Sequence, residues 1–172
     1  MKRAIFPVLL VVFGLLAGCK QQPPATTENQ PFIPDEPTQA QPKLPTMKLF
    51  LGAETLDAEL AITPRQLQTG MMFRTNIQET DAMIFPLGRP QQASFWMKNC
   101  PESISAAYIS RDGVIQEIHH LEHDDTNNIN SATDNIEFVL ETKEGWFTRH
   151  GIGVGTVIQS EKGPLAQVFE RR

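Results

Sequence analysis

The chain has 172 residues, about the size of one ordinary domain, with 15 Lys and Arg against 20 Asp and Glu for a formal net charge of −5. That acidic balance lacks the basic footprint of a dedicated nucleic-acid binder. Hydrophobic residues at 40% supply one core but not several, and two Cys exclude a disulfide framework.

The chain opens on a basic pair, Lys2 and Arg3, followed by an apolar run from Ala4 to Leu16. The run is too short to span a bilayer core of ~30 Å, which needs about 20 residues, so it reads as the hydrophobic region of a secretory signal. It ends in Leu16-Ala17-Gly18-Cys19, which resembles a bacterial lipobox. The resemblance implies removal of residues 1–18 and acylation at Cys19. Two or three acyl chains anchor stably, each buried CH₂ contributing ~0.8 kcal/mol. The alternative is an ordinary cleaved signal peptide. Lys20 occupies the position where Asp would favour inner-membrane retention, and so favours the outer membrane of a Gram-negative cell. Loss of Lys2 and Arg3 would deepen the negative charge by two, leaving no electrostatic attraction to anionic lipid. The lipid must do the anchoring.

Residues 19–46 carry the lipidated Cys and a tether rich in Pro, Gln and Thr. With few apolar side chains the segment cannot offset its ordering entropy. Pro favours an extended stalk at ~3.1 Å per residue. A Pro-rich ligand for a partner domain is the alternative.

The folded domain is expected over residues 47–172. Met47–Leu51 and Thr55–Ala61 read as strands, the second with Leu56, Ala58 and Leu60 alternating against polar neighbours. Thr63-Pro64-Arg65-Gln66 has the pattern of a capped helix start, with Pro at the first helical position, and Gly70 ends the helix. Ala82–Leu87 and Ala93–Met97 have strand length. Ser105–Ser110 and Val114–Ile118, joined by Arg111-Asp112-Gly113, read as a β-hairpin. A polar loop covers Glu122–Asn135 and Ile136–Leu140 is a further strand. Lys143–His150 reads as a second short helix closed by Gly151, with strands at Val154–Ile158 and Ala166–Phe169. Many short strands and two short helices predict an α+β fold, mostly β. The expected architecture is a curled antiparallel or mixed sheet, or a small barrel.

Four segments carry a family resemblance: Gly70-Met71-Met72-Phe73-Arg74, Ala82-Met83-Ile84-Phe85-Pro86, Phe95-Trp96-Met97-Lys98-Asn99-Cys100, and Gly145-Trp146-Phe147-Thr148-Arg149-His150-Gly151-Ile152. With the Asp112-Gly113 hairpin, their order and spacing resemble the domain of unknown function 192 (uncharacterised protein family 0127) over essentially all of residues 47–157. The resemblance implies a compact β-rich α+β domain and no particular activity. The family often has Thr after Met-Lys-Asn, where this chain has Cys100, so no hydroxyl role carries over to that position.

Candidate ligand-binding residues follow from chemistry. Arg74 offers a guanidinium fork, Lys98 an ammonium and Asn99 a carboxamide beside Trp96, a set suited to a carboxylate or an array of sugar hydroxyls. The structural alternative pairs Arg74 with a carboxylate such as Asp81 and has Asn99 completing a turn. His119, His120 and His123 lie near Asp124 and Asp125, yet His119 and His120 alternate along a strand and face opposite ways, which disfavours zinc. The loop from Asp124 lacks the Gly and Glu of an EF-hand at Ile129 and Asn135. His123-Asp124 resembles a pair found here in some family members and is kept as a site candidate. Cys100 is left unpaired once Cys19 is lipidated, and burial is its expected state; as a nucleophile it would need a nearby His and a lowered pKa. No P-loop, Rossmann fingerprint or nucleophile elbow is present.

The reading is therefore a lipid-anchored, extracytoplasmic binding or accessory module in the bacterial cell envelope. Its expected partner is a small polar ligand, a glycan or another envelope protein, with no cofactor, metal or nucleic acid. The alternative is an envelope hydrolase or transferase using His123 and Asp124 with Cys100 or water.

Overall fold

The computed structural model describes residues 35–170. The lipobox and most of the tether lie outside the described residues. The elements run β1 (Thr46–Leu51), β2 (Glu54–Leu60), α1 (Pro64–Thr69), β3 (Ala82–Gln91), β4 (Ser94–Phe95), β5 (Ile104–Ile109), β6 (Ile115–Leu121), β7 (Ile129–Asn130), β8 (Ile136–Lys143), α2 (Trp146–Arg149), β9 (Ile158–Ser160), β10 (Gly163–Pro164) and α3 (Leu165–Phe169). Eight strands form one mixed sheet in the order β10-β9-β1-β2-β3-β8-β5-β6, and β4 pairs with β7. Among the described residues only β2 and β3 run parallel, and α1 lies in the connection between them, as a parallel pair requires.

Strand β8 sits inside the sheet between β3 and β5. Phe138, Val139 and Leu140 are fully buried, because both sheet faces are covered. One face holds the cluster of Leu49, Leu51, Ile84, Phe138, Leu140, Trp146 and Phe147. The other holds Met71, Met83, Phe85, Met97, Cys100, Tyr108 and Val139. Alternation along the strand thus feeds two cores from one run.

The sheet curls until its ends meet. Val114, at the start of the β6 arm, bridges Val157, just before β9. Ile115 N–H donates to Thr156 O at 2.9 Å and Ile158 N–H to Gly113 O at 2.7 Å.

Helix α1 starts as its sequence predicts, with Thr63 as the cap, Gln66 closing the box and Pro64 in the first turn. The 105–118 hairpin forms, with Gly113 N–H donating to Ser110 O at 2.9 Å. Other boundaries move. Ala166–Phe169 is expected as a strand but belongs to helix α3, making three helices among the described residues rather than the two expected of the domain. Leu165, Val168 and Phe169 recur at helical spacing and pack on the first core, with Phe169 against Phe138 at 5.6 Å. The strand expected over Val154–Ile158 forms only from Ile158; residues 153–156 make a turn closed by Thr156 N–H to Gly153 O. Of Ala93–Met97 only Ser94 and Phe95 pair, with a short strand inside the loop expected at 122–135. The second helix shrinks to Trp146–Arg149 because β8 continues to Lys143.

Residues 35–45, on the tether side of the expected boundary, run along the domain. Gln41 Nε2 donates to Gly70 O at 2.8 Å, Leu44 N–H to Glu59 Oε2 at 2.7 Å, and Leu60 N–H to Pro45 O at 2.9 Å. Pro37 is buried. The order of this stretch is carried by specific backbone and carboxylate contacts, which its composition does not announce.

Candidate functional site

Three motif loops are stitched together by main-chain hydrogen bonds. Phe73 N–H donates to Asn99 O at 2.7 Å, Met97 N–H to Asp125 O at 2.7 Å, and Asp124 N–H to Cys100 O at 2.9 Å. Phe73, Asn99 and Asp124 have φ of 61°, 59° and 55°, a left-handed conformation that Asn and Asp tolerate best among residues with a Cβ. The loops around Arg74, Trp96-Lys98-Asn99 and His123-Asp124 are therefore neighbours.

Their side chains nonetheless take separate directions. Arg74 turns inward to a bidentate pair with Glu59, at 2.6 and 2.8 Å. Its partner is Glu59 and not Asp81. Burial opposes the Glu59 charge, but the guanidinium, the Leu44 N–H and Lys43 outweigh it and hold the carboxyl below its usual range. The hydrogen bond that Arg74 donates to Glu59 raises the Arg74 pKa in turn. Lys98 Nζ lies 5.5 Å from the centre of the Trp96 ring and 2.6 Å from Glu36 Oε1. Lys98, followed by Asn99, holds the Glu36 carboxyl below its usual range. The ammonium and carboxamide thus receive a carboxylate from this chain's own 35–45 segment.

His123 is 57% exposed in its side chain, 3.3 Å from Glu122 Oε1 and 3.7 Å from Asp124 Oδ2. His119 packs at a tilt against Tyr108, ring centres 4.6 Å apart, while His120 faces away toward Glu122 and Glu144. Among the described residues no group of three or more His, Cys, Asp or Glu is placed to hold a metal ion. Cys100 is buried, as expected. Burial, with Glu141 and Asp124 adding to it, pushes its thiol up to about 12, so the thiol stays protonated and is a poor nucleophile near neutrality.

The unsatisfied chemistry lies elsewhere. Among the described residues two buried side-chain oxygens have no hydrogen-bond partner, Gln68 Oε1 and Glu141 Oε2. Both residues line one cavity of about 40 Å³, together with Trp96, Phe85, Phe95 and Cys100. Glu141 sits on β8 opposite Met83 and Ala106 and is only 4% exposed. It is on the strand face of Val139, so it points into the second core. Phe85 and Phe95 meet edge to face at 5.3 Å beside it. The end of α1 supplies Gln68 and brings the chain close over the Phe85 ring. Gly70 makes that approach, with φ +48° and room for a Cβ only at 3.4 Å from the ring. Trp96, 43% exposed, contributes the solvent-facing part of the lining. Burial drives the Glu141 carboxyl up to about 8, with Arg74 the opposing influence. At pH 7 it is mostly neutral and both donates and accepts hydrogen bonds.

Two larger clefts flank the Arg74–Glu59 pair. One of about 320 Å³ is lined by Gln41, Phe73, Arg74 and Asp81, and one of about 270 Å³ by Lys43, Asp57, Glu59 and Asp81. Their charges are already paired: Arg74 with Glu59, Lys43 with Asp81 at 3.6 Å, Asp57 with Lys48 at 3.0 Å. The smaller cavity holds the atoms in want of a partner, and it is the candidate site.

Neither Gln68 nor Glu141 stands out in a motif search. The available signal is a carboxylate two residues after Val139, on a face that an apolar strand commits to the interior. Glu137 carries the same signal but is satisfied by Arg111 at 3.1 and 3.2 Å.

Comparison with known proteins places this geometry in a family context. The model of the family DUF192, described as Uncharacterized ACR, matches residues 47–160. Among solved structures, a candidate transcription regulator from Sinorhizobium meliloti 1021 is similar at 27% identity and a TM-score of 0.62, covering 66% of this chain and 91% of that one. A protein of unknown function from Novosphingobium aromaticivorans DSM 12444 is similar at 26% identity and a TM-score of 0.61, covering 66% of this chain and 83% of that one. No curated protein sequence matches the chain.

Proposed function

The chain belongs to the uncharacterised DUF192 family, and from that premise we propose that it is a small-ligand binding module of the bacterial cell envelope, anchored by acyl chains on Cys19. The single observation that carries the binding role is the buried, unpartnered Glu141 oxygen in a cavity lined by the exposed Trp96. A buried polar group without a partner costs about 1–3 kcal/mol. A fold retains such a group at little benefit to its stability, and a guest that satisfies it recovers that cost on binding. The sequence features that support the envelope address are the basic start, the apolar run and the lipobox-like Leu16-Ala17-Gly18-Cys19. The Lys98–Asn99 turn, next to Trp96 in the chain, is a second polar element outside the cavity lining. It accepts Glu36 here and has the chemistry to accept a carboxylate or hydroxyl of a larger ligand. The regulator description of the Sinorhizobium protein gains no support from this chain's net charge of −5.

A thermal-shift screen tests the reading. The full-length chain in detergent is melted against amines, amino acids, carboxylates, mono- and oligosaccharides and envelope extract. A ligand at 100 times its Kd adds ~2.7 kcal/mol, which appears as a clear rise in Tm. Trp96→Ala and Glu141→Gln should each remove the rise. A panel that leaves Tm unmoved, or a rise untouched by both substitutions, refutes the pocket.

A further inference from the structure

We propose that the guest of the Gln68–Trp96–Glu141 cavity is a primary ammonium group, an inference that rests on the binding role above and names its ligand class. The atoms left without partners are the carboxamide oxygen of Gln68, an acceptor, and a carboxyl oxygen of Glu141, which is an acceptor alone once the carboxyl is deprotonated. Three hydrogen-bond donors of the lining residues already have acceptors within the chain. Thr69 Oγ1–H donates to Arg65 O at 2.8 Å, Gly70 N–H to Gln66 O at 2.9 Å, and Met72 N–H to Thr69 O at 2.9 Å. A guest that meets the deprotonated carboxyl must therefore bring hydrogen-bond donors, which disfavours a carboxylate or phosphate. A hydroxyl brings one donor for two oxygens. An ammonium brings three, with a charge that opposes that of Glu141.

Size and aromatic surroundings agree. A cavity of about 40 Å³ holds on the order of one to three heavy atoms, fitting –CH₂–NH₃⁺ better than a planar guanidinium. Trp96 lines the cavity, and its ring already attracts one ammonium, that of Lys98 at 5.5 Å.

The titration of Glu141 supplies a signature. The groups that act on it or are acted on by it are Arg74, Cys100 and Tyr108. Its neighbours across the sheet, Met83 and Ala106, are uncharged. With its carboxyl pushed up to about 8 by burial, Glu141 must release its proton to solvent as the ammonium enters. A primary amine keeps its own proton to about pH 10. Affinity should therefore climb as pH rises toward 8 and level off above it.

The test is a titration of the full-length chain in detergent with ethylammonium chloride, following the Trp96 indole N–H by NMR at pH 6 and pH 8. Ethanol and tetramethylammonium are the controls. The expected result is a saturable shift, at least tenfold tighter at pH 8 than at pH 6, with both controls at least tenfold weaker. Glu141→Gln should weaken binding at least tenfold and abolish its pH dependence while melting within a few degrees of the parent at pH 6. Gln68→Leu, at a half-buried position on α1, gives a second variant with the same expected loss. Equal binding of ethanol, pH-independent binding, or unchanged affinity in both variants overturns the ammonium assignment. If a hydroxyl or carboxylate compound moves the indole and ethylammonium does not, the ligand class fails and the pocket stands. Silence of every probe, together with an unmoved Tm across the wider panel, removes both. The tighter of glucosamine and N-acetyl-lysine then assigns an amino-sugar or a lysine-like source.

Discussion

Arg74 and Glu59 show how a residue chosen for binding becomes a residue of the frame. The guanidinium makes two short bonds to a carboxylate that also accepts the Leu44 N–H, and both side chains are largely buried. Removing one partner leaves the other charge in a poorly solvated site, at a cost of about 3–5 kcal/mol, whereas replacing both with apolar groups is often near neutral. Arg74→Met should therefore lower Tm strongly, and Arg74→Met combined with Glu59→Leu should recover much of the loss. Because the Glu59 pKa is lowered in the folded state, its contribution is present above the unfolded carboxyl value and is lost as pH falls through the folded one. Denaturant titrations of parent and double variant from pH 3 to 7 check both parts. The parent should lose its advantage on the acid side, and the double variant should lack that limb. The chemistry of Arg74 was legible in the sequence. Its partner was not, because Glu59 lies 15 positions away on β2 and only the parallel β2–β3 pairing and the return of the chain after α1 bring the two together.

At the scale of elements, local signals worked where the deciding contact is local. The capping box of α1 and the Asp112-Gly113 turn involve residues three or four apart, and both form as read. Failures concentrate where the deciding contact is distant. Ala166–Phe169 has strand composition, but the core surface offered by Phe138 and Leu140 selects a helix. Glu141 sits on a strand held inside the sheet by β3 and β5 and covered on its two faces by separate core clusters, neither of which is local in sequence. Gly113 joins the two kinds of contact. It has φ +81°, and a Cβ there would lie 2.6 Å from Ile158 O, at the point where the sheet ends meet. Backbone cannot yield as a flexible side chain does, so the substitution combines left-handed strain of about 1–3 kcal/mol with loss of the Ile158 N–H to Gly113 O bond. Gly113→Ala should lower Tm by several degrees and raise hydrogen exchange at Ile115 and Ile158 ahead of exchange in β8. Gly88→Ala is the matched control, since its φ is +81° with nothing near a Cβ. A fall in Tm no larger at Gly113 than at Gly88 would show that closure of the sheet does not depend on this contact.

At the scale of the whole molecule, the domain and the start of the chain make separate contributions. Among the described residues no helix is long and apolar enough to cross a membrane, and the net charge of −5 gives no general attraction to anionic lipid. If the protein is held at a bilayer as proposed, the hold must come from acyl chains at Cys19, and a membrane association of that kind resists salt. Cells expressing the parent and Cys19→Ser chains can be labelled with palmitate and fractionated. The parent should carry label, remain in the membrane fraction through a wash in 1 M salt and yield to detergent. Its mass should lack residues 1–18 and include the lipid. Cys19→Ser should carry no label, and a chain begun at Lys20 should appear in the soluble fraction with an unchanged melting curve, because the hydrogen bonds and the ion pair described for Glu36, Gln41 and Leu44 run to the domain itself. An unlabelled, soluble parent retaining residues 1–18 would move the protein to another compartment. The cavity under Trp96 would then have to find its ligand among cytosolic amines, where Lys side chains and polyamines replace amino sugars as the abundant source.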